Sequence, residues 1–222
     1  MTILTIGHST HEPEQFIKIM RSAKLTGIVD VRSHRTSHWE WWYESEADTW
    51  LRGAGFNYYS MPSLGGWDKR HTEAYGDWAA HRGVNLHAYD RGFFPKNRIG
   101  VDRPGGEDGS WTNQGLYDYS WYTAIDEFQG GLDTLIERYA GWNQPRIAIM
   151  CAESLWWKCH RSMIADVLAF RGVRALHVMP NKLGVWIAEH DAMPRLGRYP
   201  TEVKQAWIQH VMLVADPPAT LV

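Results

Sequence analysis

Both cysteines of the chain, a histidine and an arginine fall in one short run, MCAESLWWKCHR at 150–161. A thiol acts as nucleophile or metal ligand only as the thiolate, and a helix N-terminus or a neighbouring cation favours that form. Cys159 precedes His160 and Arg161, after which Met163, Ile164, Val167 and Leu168 recur at the spacing of one apolar helix face. The spacing therefore predicts Cys159 at a helix N-terminus. Upstream, Ile147, Ala148, Ile149 and Met150 have the length and type of a strand buried on both faces. That strand runs out into Cys151 and Glu153. Strand, polar turn, helix is half of a βαβ unit, and in open α/β sheets ligands bind at the carboxyl edge of the strands.

Three more stretches end in the same way. TILTI at 2–6 leads into Gly7, His8 and Ser9; GIVDV at 27–31 leads into Arg32 and Ser33; FNYYS at 56–60 leads to Leu64, Gly65 and Gly66. Laid parallel, these strands bring their ends to one edge of a sheet. Asp30 stands out because an acid near the end of an apolar strand needs a partner or a chemical task. In the functional reading His8 or His160 serves as acid or base. Asp30 or Glu153 orients it, and Cys159 is nucleophile or ligand. Arg32, Arg161 and the helix N-terminus hold an anion, with Ser9, Ser33, Gly65, Gly66, Cys151 and Trp156 lining the binding surface. The structural reading of the same residues stays open beside it. Cys151 is then an inert small hydrophobe, Arg32 and Arg161 pair with Asp30 or Glu153, and His8 ties down backbone. Gly65-Gly66 is then a turn, and Trp156 packs against the site, with base stacking the sharper alternative.

Spacing excludes several familiar chemistries. Neither cysteine stands at the distance from an arginine that a phosphatase-type anion cradle needs. There is no C-x-x-C pair, no GxGxxG or GxxxxGK[ST] and no G-x-S-x-G. No cofactor is expected. Metal ligation by Cys159, His160, His8 or the histidines of the 67–115 segment is compatible with the residue types, but ligand spacing does not demand it.

The elements that must position these residues follow from patterning. Pro13 suits the first turn of a helix with Phe16, Ile19 and Met20 on its apolar face. The aromatic text from Ser37 to Arg52 predicts a helix stopped at Gly53 and Gly55. Tyr117 to Tyr139 predicts another, bending at Gly130-Gly131. Ala175 to Met179 reads as a further strand, and the tail beyond Pro180 carries one helix after Pro200-Thr201, with Val203, Trp207 and Val211 on one face. From 67 to 115 the pattern dissolves, with His71, His81, His87 and a PGGEDGS run at 104–110. So long an irregular segment reads as a lid or small insertion. The expected architecture is a single α/β domain over 1–222: a mostly parallel, Rossmann-like three-layer sheet flanked by helices, with 67–115 inserted.

Composition bounds the function class. A net charge of -2 supplies no bulk field for nucleic acid or an anionic membrane. No run of about 18 apolar residues spans a bilayer. MTILTIGHST has neither a basic leader nor a long apolar core, so no export signal is expected. Two cysteines in one segment suit a reducing cytoplasm. Thirteen tryptophans and eleven histidines are the unusual feature; adjacent pairs such as Trp156-Trp157 cannot both point into a core, so some line a cleft or an interface.

The motifs TIGHST, VDVRS followed by Ser37, LGG at 64–66 and MCAE…CHR at 150–161 together resemble the domain-of-unknown-function 488 family of YeaO-like proteins, from about Thr2 to Val178. The family's aromatic helix before the last motif is similar to Tyr117–Tyr139. In the family a proline stands two residues after the VRS, where this chain has Arg35, and the 67–115 segment here is expanded. The resemblance implies an α/β fold and groups His8, Asp30, Arg32, Ser33, Gly65, Gly66, Cys151, Glu153, Cys159, His160 and Arg161, without implying a reaction. The expectation is a cytoplasmic enzyme, of hydrolase or lyase type, acting on a small anionic or nucleotide-like substrate under a lid. A nucleic-acid-associated module, which the net charge disfavours, and a metalloprotein are the rivals.

Overall fold

The computed structural model describes residues 1–66, 114–141, 146–181 and 184–215. The expected lid, with His71, His81 and His87, lies outside the described residues except for its last two positions. The chain divides into two compact units: Met1–Gly66 with Gly130–Ala192, and Trp67–Gln129 with Met193–Val222.

The first unit is an α/β sheet. Its strands are β1 (Thr2–Gly7), β2 (Gly27–Asp30), β3 (Asn57–Ser60), β4 (Ile147–Cys151), β5 (Arg174–Asn181) and β6 (Gly184–Glu189), in the order β3-β2-β4-β1-β5-β6. β1 to β5 are parallel, so the carboxyl ends of β1, β2, β3 and β4 share one edge, and β6 adds an antiparallel strand beside β5. This is the expected mostly parallel sheet flanked by helices. β6 is an addition, because the tail beyond Pro180 was expected to hold only a helix. Its signal was faint, a six-residue GVWIAE run whose Trp186 faces solvent.

Side chains alternate across the pleat, which gives the sheet two different faces. Leu4, Ile6, Ile28, Tyr58, Ala148 and Met150 share a core with Phe16, Ile19 and Met20 of helix α1 (Pro13–Ser22), and with Ala47 and Leu51 of helix α2 (Glu44–Gly53). The alternate positions Ile3, Val29, Ile147, Ile149 and Cys151 look the other way. There Met163, Ile164, Val167 and Leu168 are fully buried on a helix, Arg161–Phe170, that packs on β4 and β5.

Two helix expectations are corrected. The α-helix predicted from Ser37 starts only at Glu44, preceded by a short 3-10 turn over Glu40–Trp42. The aromatic residues cause this: Trp41 and Trp42 both donate their indole N–H to the His11 carbonyl, which pins this stretch as a strap outside the α-helix. The helix predicted through Tyr117–Tyr139 is two helices, α3 (Gln114–Tyr122) and α4 (Asp126–Tyr139), broken at Thr123–Ile125 rather than bent at Gly130-Gly131. Thr123 Oγ1 turns back to the Ser120 carbonyl and Gln129 Nε2 caps the Thr123 carbonyl, so the backbone groups of the break are satisfied.

The helix Arg161–Phe170 is α5 in chain order. The second unit adds α6 (Met193–Leu196) and α7 (Thr201–Ala215). On α7, Val203, Ala206 and Trp207 are buried, and Trp207 donates to Thr123, while Val211 is exposed. No helix among the described residues is long and apolar enough to cross a membrane.

Candidate active site

The first site residues to be fixed are those at the ends of β1 and β2. Asp30, the last residue of β2, is fully buried, and its carboxylate is saturated. It accepts from the Arg32 backbone N–H at 3.0 Å, from Arg32 Nε at 3.0 Å, from Arg32 Nη2 at 2.6 Å and from the Tyr58 hydroxyl at 2.6 Å. Arg32 spends its remaining Nη1 on the Trp42 carbonyl at 2.9 Å and on His8 Nε2 at 3.3 Å. Burial would lower the Arg32 pKa, but Asp30 more than offsets it and holds the guanidinium above its ordinary value. Burial and Asp30 together push the Tyr58 hydroxyl up, so it stays a donor.

His8 follows β1 and is stacked on Trp42, ring centroids 4.1 Å apart. Burial, helped by the Arg32 guanidinium, lowers its pKa from 6.5 to about 3. A neutral imidazole with Nδ1–H donating to the Ser9 carbonyl at 2.8 Å leaves Nε2 to accept from Arg32. Ser9 itself adopts a positive φ of 51° in this turn.

The cysteines sit on the opposite face of the pleat. Cys151 ends β4; a turn and a 3-10 helix at Trp156–Lys158 then deliver Cys159 to the start of α5, with His160 at the N-cap position. Sγ of Cys151 and Sγ of Cys159 are 2.7 Å apart, both residues are buried, and both thiols are free. Arg161 Nε donates to Cys151 Sγ at 3.0 Å, and its Nη2 donates to the Glu153 carbonyl. Cys159 Sγ accepts from the Arg161 backbone N–H at 3.5 Å and lies 3.5 Å from His160 Nδ1, whose Nε2 reaches the Val31 carbonyl at 3.2 Å. The two thiols are driven apart in acidity. Burial raises Cys151 well above the ordinary thiol, and its hydrogen bond to Cys159 adds to that. Cys159 also pays for burial, yet the bond from Cys151 and the charges of His160 and Arg161 bring it well below. Cys159 is thus the more acidic thiol of the pair, the one placed to accept a hydrogen bond from Cys151 Sγ–H.

Three glycines make the close packing possible. A Cβ on Gly7 would collide with the Glu153 carbonyl and come within 2.8 Å of Ser154 Cα, so only glycine lets the cysteine turn cross the end of β1. There the ladder continues, with His8 N–H and Ser9 N–H donating to the Cys151 and Ala152 carbonyls. A Cβ on Gly65 would lie 2.7 Å from the Ser33 N. Gly65 thus lets the protein's own backbone pass close by at Ser33. A Cβ on Gly66 would lie 3.1 Å from His160 Nδ1, which puts that glycine against the same imidazole.

Other expected members lie apart. The Glu153 carboxylate is exposed and accepts from Leu155 N–H and Ser154 Oγ, shaping its own turn. Trp156 stacks on His177 at 3.9 Å, nearly coplanar. His177 opens a group that the sequence reading did not single out. Thr5 Oγ1 meets His177 Nδ1 at 2.7 Å, His177 Nε2 meets His190 Nδ1 at 2.9 Å, and His190 Nε2 meets Asp166 Oδ1 at 2.7 Å, all buried. With Asp166 as terminal acceptor, one arrangement of protons satisfies the whole chain of bonds, from Thr5 O–H through both rings. The signal that was available is that Thr5 and His177 are polar residues inside apolar strands, and they are register partners across β1 and β5.

Among the described residues, Cys151, Cys159 and His160 are the group whose ligand atoms could hold a metal, lying within 4.8 Å of one another. His8 is not part of it. The fit is poor: tetrahedral zinc, with Zn–S near 2.3 Å, sets two sulfurs roughly 3.7 Å apart, and the buried Arg161 guanidinium beside Cys151 opposes a dication.

A family model described as Domain of unknown function DUF488 matches residues 97–168. This is the family that the four motifs resemble. The matched segment is less than half of the chain; it holds β4, the cysteine turn and most of α5, and it leaves TIGHST, VDVRS and LGG outside. No curated protein and no solved structure matches the chain.

Proposed function

We propose that the chain is a cytoplasmic thiol-dependent enzyme, of hydrolase or lyase type, acting on a small anionic substrate, nucleotide-like compounds included, at the carboxyl edge of the sheet. The observation that carries this reading is the setting of Cys159, whose Sγ lies 2.7 Å from Cys151 Sγ and 3.5 Å from both His160 Nδ1 and the Arg161 backbone N–H. A thiolate at a helix N-terminus beside a guanidinium is the activated form of the nucleophile. His160, adjacent to that sulfur, is the acid or base in this reading, because His8 Nε2 already accepts from Arg32. The N-terminal end of α5 supplies the anion site through its dipole, its first N–H groups already donating within the turn. Arg32 does not, since its guanidinium is occupied by Asp30, Trp42 and His8; with Asp30 it is a positioning residue.

The test has two arms. The reduced protein is screened for turnover of small acyl esters, phosphate esters and nucleotides, and an active substrate is then offered to Cys159→Ala and His160→Ala. Loss of about a thousand-fold or more in kcat is expected for Cys159→Ala, and about a hundred-fold or more for His160→Ala. In the second arm iodoacetamide alkylates Cys159 at a pH below the ordinary thiol range near 8.5, and inorganic phosphate slows the reaction. Full turnover in Cys159→Ala overturns the assignment, as does Cys159 labelling only in alkali.

A further inference from the structure

We propose that Cys151 and Cys159 are a two-electron redox couple that closes to an intramolecular disulfide after Cys159 attacks a small hydroperoxide. The two sulfurs are 2.7 Å apart with no bond between them, about 0.7 Å beyond a covalent S–S distance. That spacing is too short for two sulfurs sharing a tetrahedral metal, and Arg161 Nε at 3.0 Å from Cys151 Sγ supplies the charge that a metal would otherwise bring. Cys151 ends β4 and Cys159 stands in the turn two residues before α5, with the sulfurs already in contact, so closure needs only a sub-ångström approach.

The pair is also asymmetric in the sense the chemistry requires. Cys159 Sγ, with the Arg161 backbone N–H and His160 Nδ1 each at 3.5 Å, is the attacking sulfur, and Cys151 is the resolving one. Low-pKa thiols next to a resolving cysteine are the ones that oxidise reversibly. Cys151 is 2% and Cys159 5% exposed, a setting that favours a small oxidant over a protein disulfide.

The steps balance. Cys159 sulfur attacks the peroxide oxygen, an S–O bond forms, the O–O bond breaks, and the departing alkoxide or hydroxide takes a proton from solvent, replacing the one released when Cys159 ionised. Cys159 is now a sulfenic acid, oxidised by two electrons as the peroxide is reduced. Cys151 sulfur then attacks Cys159 sulfur; the S–S bond forms, the S–O bond breaks, and hydroxide leaves with the Cys151 proton as water. A small dithiol restores both thiols by exchange. Closure would also remove the nucleophile and switch off the activity proposed above; only this consequence rests on that reading.

The full chain, reduced and desalted, is treated with equimolar hydrogen peroxide, quenched in denaturant with N-ethylmaleimide, digested and analysed by mass spectrometry. The expected product is the Cys151–Cys159 linkage, lighter by two hydrogens and unalkylated, reversed by dithiothreitol. In Cys151→Ser the linkage is lost and dimedone traps a sulfenic acid on Cys159; in Cys159→Ser, Cys151 stays alkylatable. Full alkylation of both wild-type thiols after excess peroxide overturns the couple, and so does a dimedone adduct on Cys151 in place of Cys159. The wild-type measurement decides even where a variant fails to fold. Absent linkage with turnover still dependent on Cys159 sinks this inference alone, whereas linkage with turnover retained in Cys159→Ala sinks the proposed function alone.

Discussion

Asp30 and Arg32 close a buried ion pair two residues apart, Nη2 to Oδ2 at 2.6 Å, and this pair uses up the guanidinium that an anionic ligand would need. Its charge is spent inside the protein, aiming Arg32 Nη1 at the Trp42 carbonyl and at His8. Arg32 thereby sets the tautomer of His8 and the seat of the aromatic strap.

Asp30→Ala leaves that guanidinium buried and unpaired, and breaking a buried pair in this way costs about 3–5 kcal/mol. Tyr58→Phe removes a single charge-assisted hydrogen bond to Asp30 Oδ2 and should cost about 1.5–3 kcal/mol. Urea unfolding of the two variants checks both the magnitudes and their order. A Tyr58→Phe loss as large as that of Asp30→Ala would show that the hydroxyl, and not Arg32, is the principal partner.

His8 makes stability depend on pH in a defined direction. Its pKa is 6.5 when unfolded and about 3 when folded, so between those values the unfolded chain binds a proton that the folded chain refuses. The contribution of neutral His8 is whole above the upper value and is lost as pH falls towards the lower one. At about 1.4 kcal/mol per unit of pH, wild type should lose roughly 2 kcal/mol more than His8→Asn between about pH 6.5 and about pH 5. Parallel stability curves for the two proteins over that range would contradict a buried, neutral imidazole.

Gly7→Ala puts a methyl group against the Glu153 carbonyl and the Ser154 backbone, neither of which is the flexible end of a side chain. Overpacking of this kind costs about 1–3 kcal/mol. Because the displaced turn carries Arg161's carbonyl partner, alkylation of Cys159 should change along with the melting temperature. Gly53→Ala, where nothing stands within 4 Å of the added methyl, serves as the control. Equal effects from the two substitutions would remove the role given to Gly7.

Asp166 anchors the Thr5–His177–His190 chain through a 2.7 Å bond to His190 Nε2. Asp166→Ala strands a buried donor, at about 1–3 kcal/mol, whereas Asp166→Asn keeps an oxygen for it and should cost less. The His190 Nε2–H proton should be visible by NMR at neutral pH in wild type, protected by burial, and should vanish in Asp166→Ala. An unchanged resonance would mean that another group accepts that bond.

The parallel sheet and the edge at which its reactive residues gather were legible in the sequence. Short apolar runs such as IAIM, and GIVDV with its single acid, have the length and β-branched content of interior strands, and the period of Met163, Ile164, Val167 and Leu168 is that of a helix face. Those local patterns place Gly7, Asp30, Ser60 and Cys151 at strand ends, and parallel pairing does the rest. Aromatic-rich text misled where its pattern had no period: Trp41 and Trp42 read as helix, yet both indoles reach back to the His11 carbonyl and hold a strap instead.

Which residue partners which was not legible, because it depends on the two-residue pleat and on contacts between distant segments. Asp30 and Cys151 both end buried strands, yet their side chains leave opposite faces, so the carboxylate meets Arg32 and Tyr58 while the thiol meets Cys159 and Arg161. Thr5 and His177 are 172 residues apart and become neighbours only through strand register. The sequence alone determined the five parallel strands and the edge, since local periodicity and turn residues encode them, but not β6 or the bounds of two helices. The tertiary structure alone decided that Arg32 is spent, that Cys151 and Cys159 touch, and that His8 is engaged by Arg32 instead of reaching the cysteines, since burial and pairing across the sheet fix those.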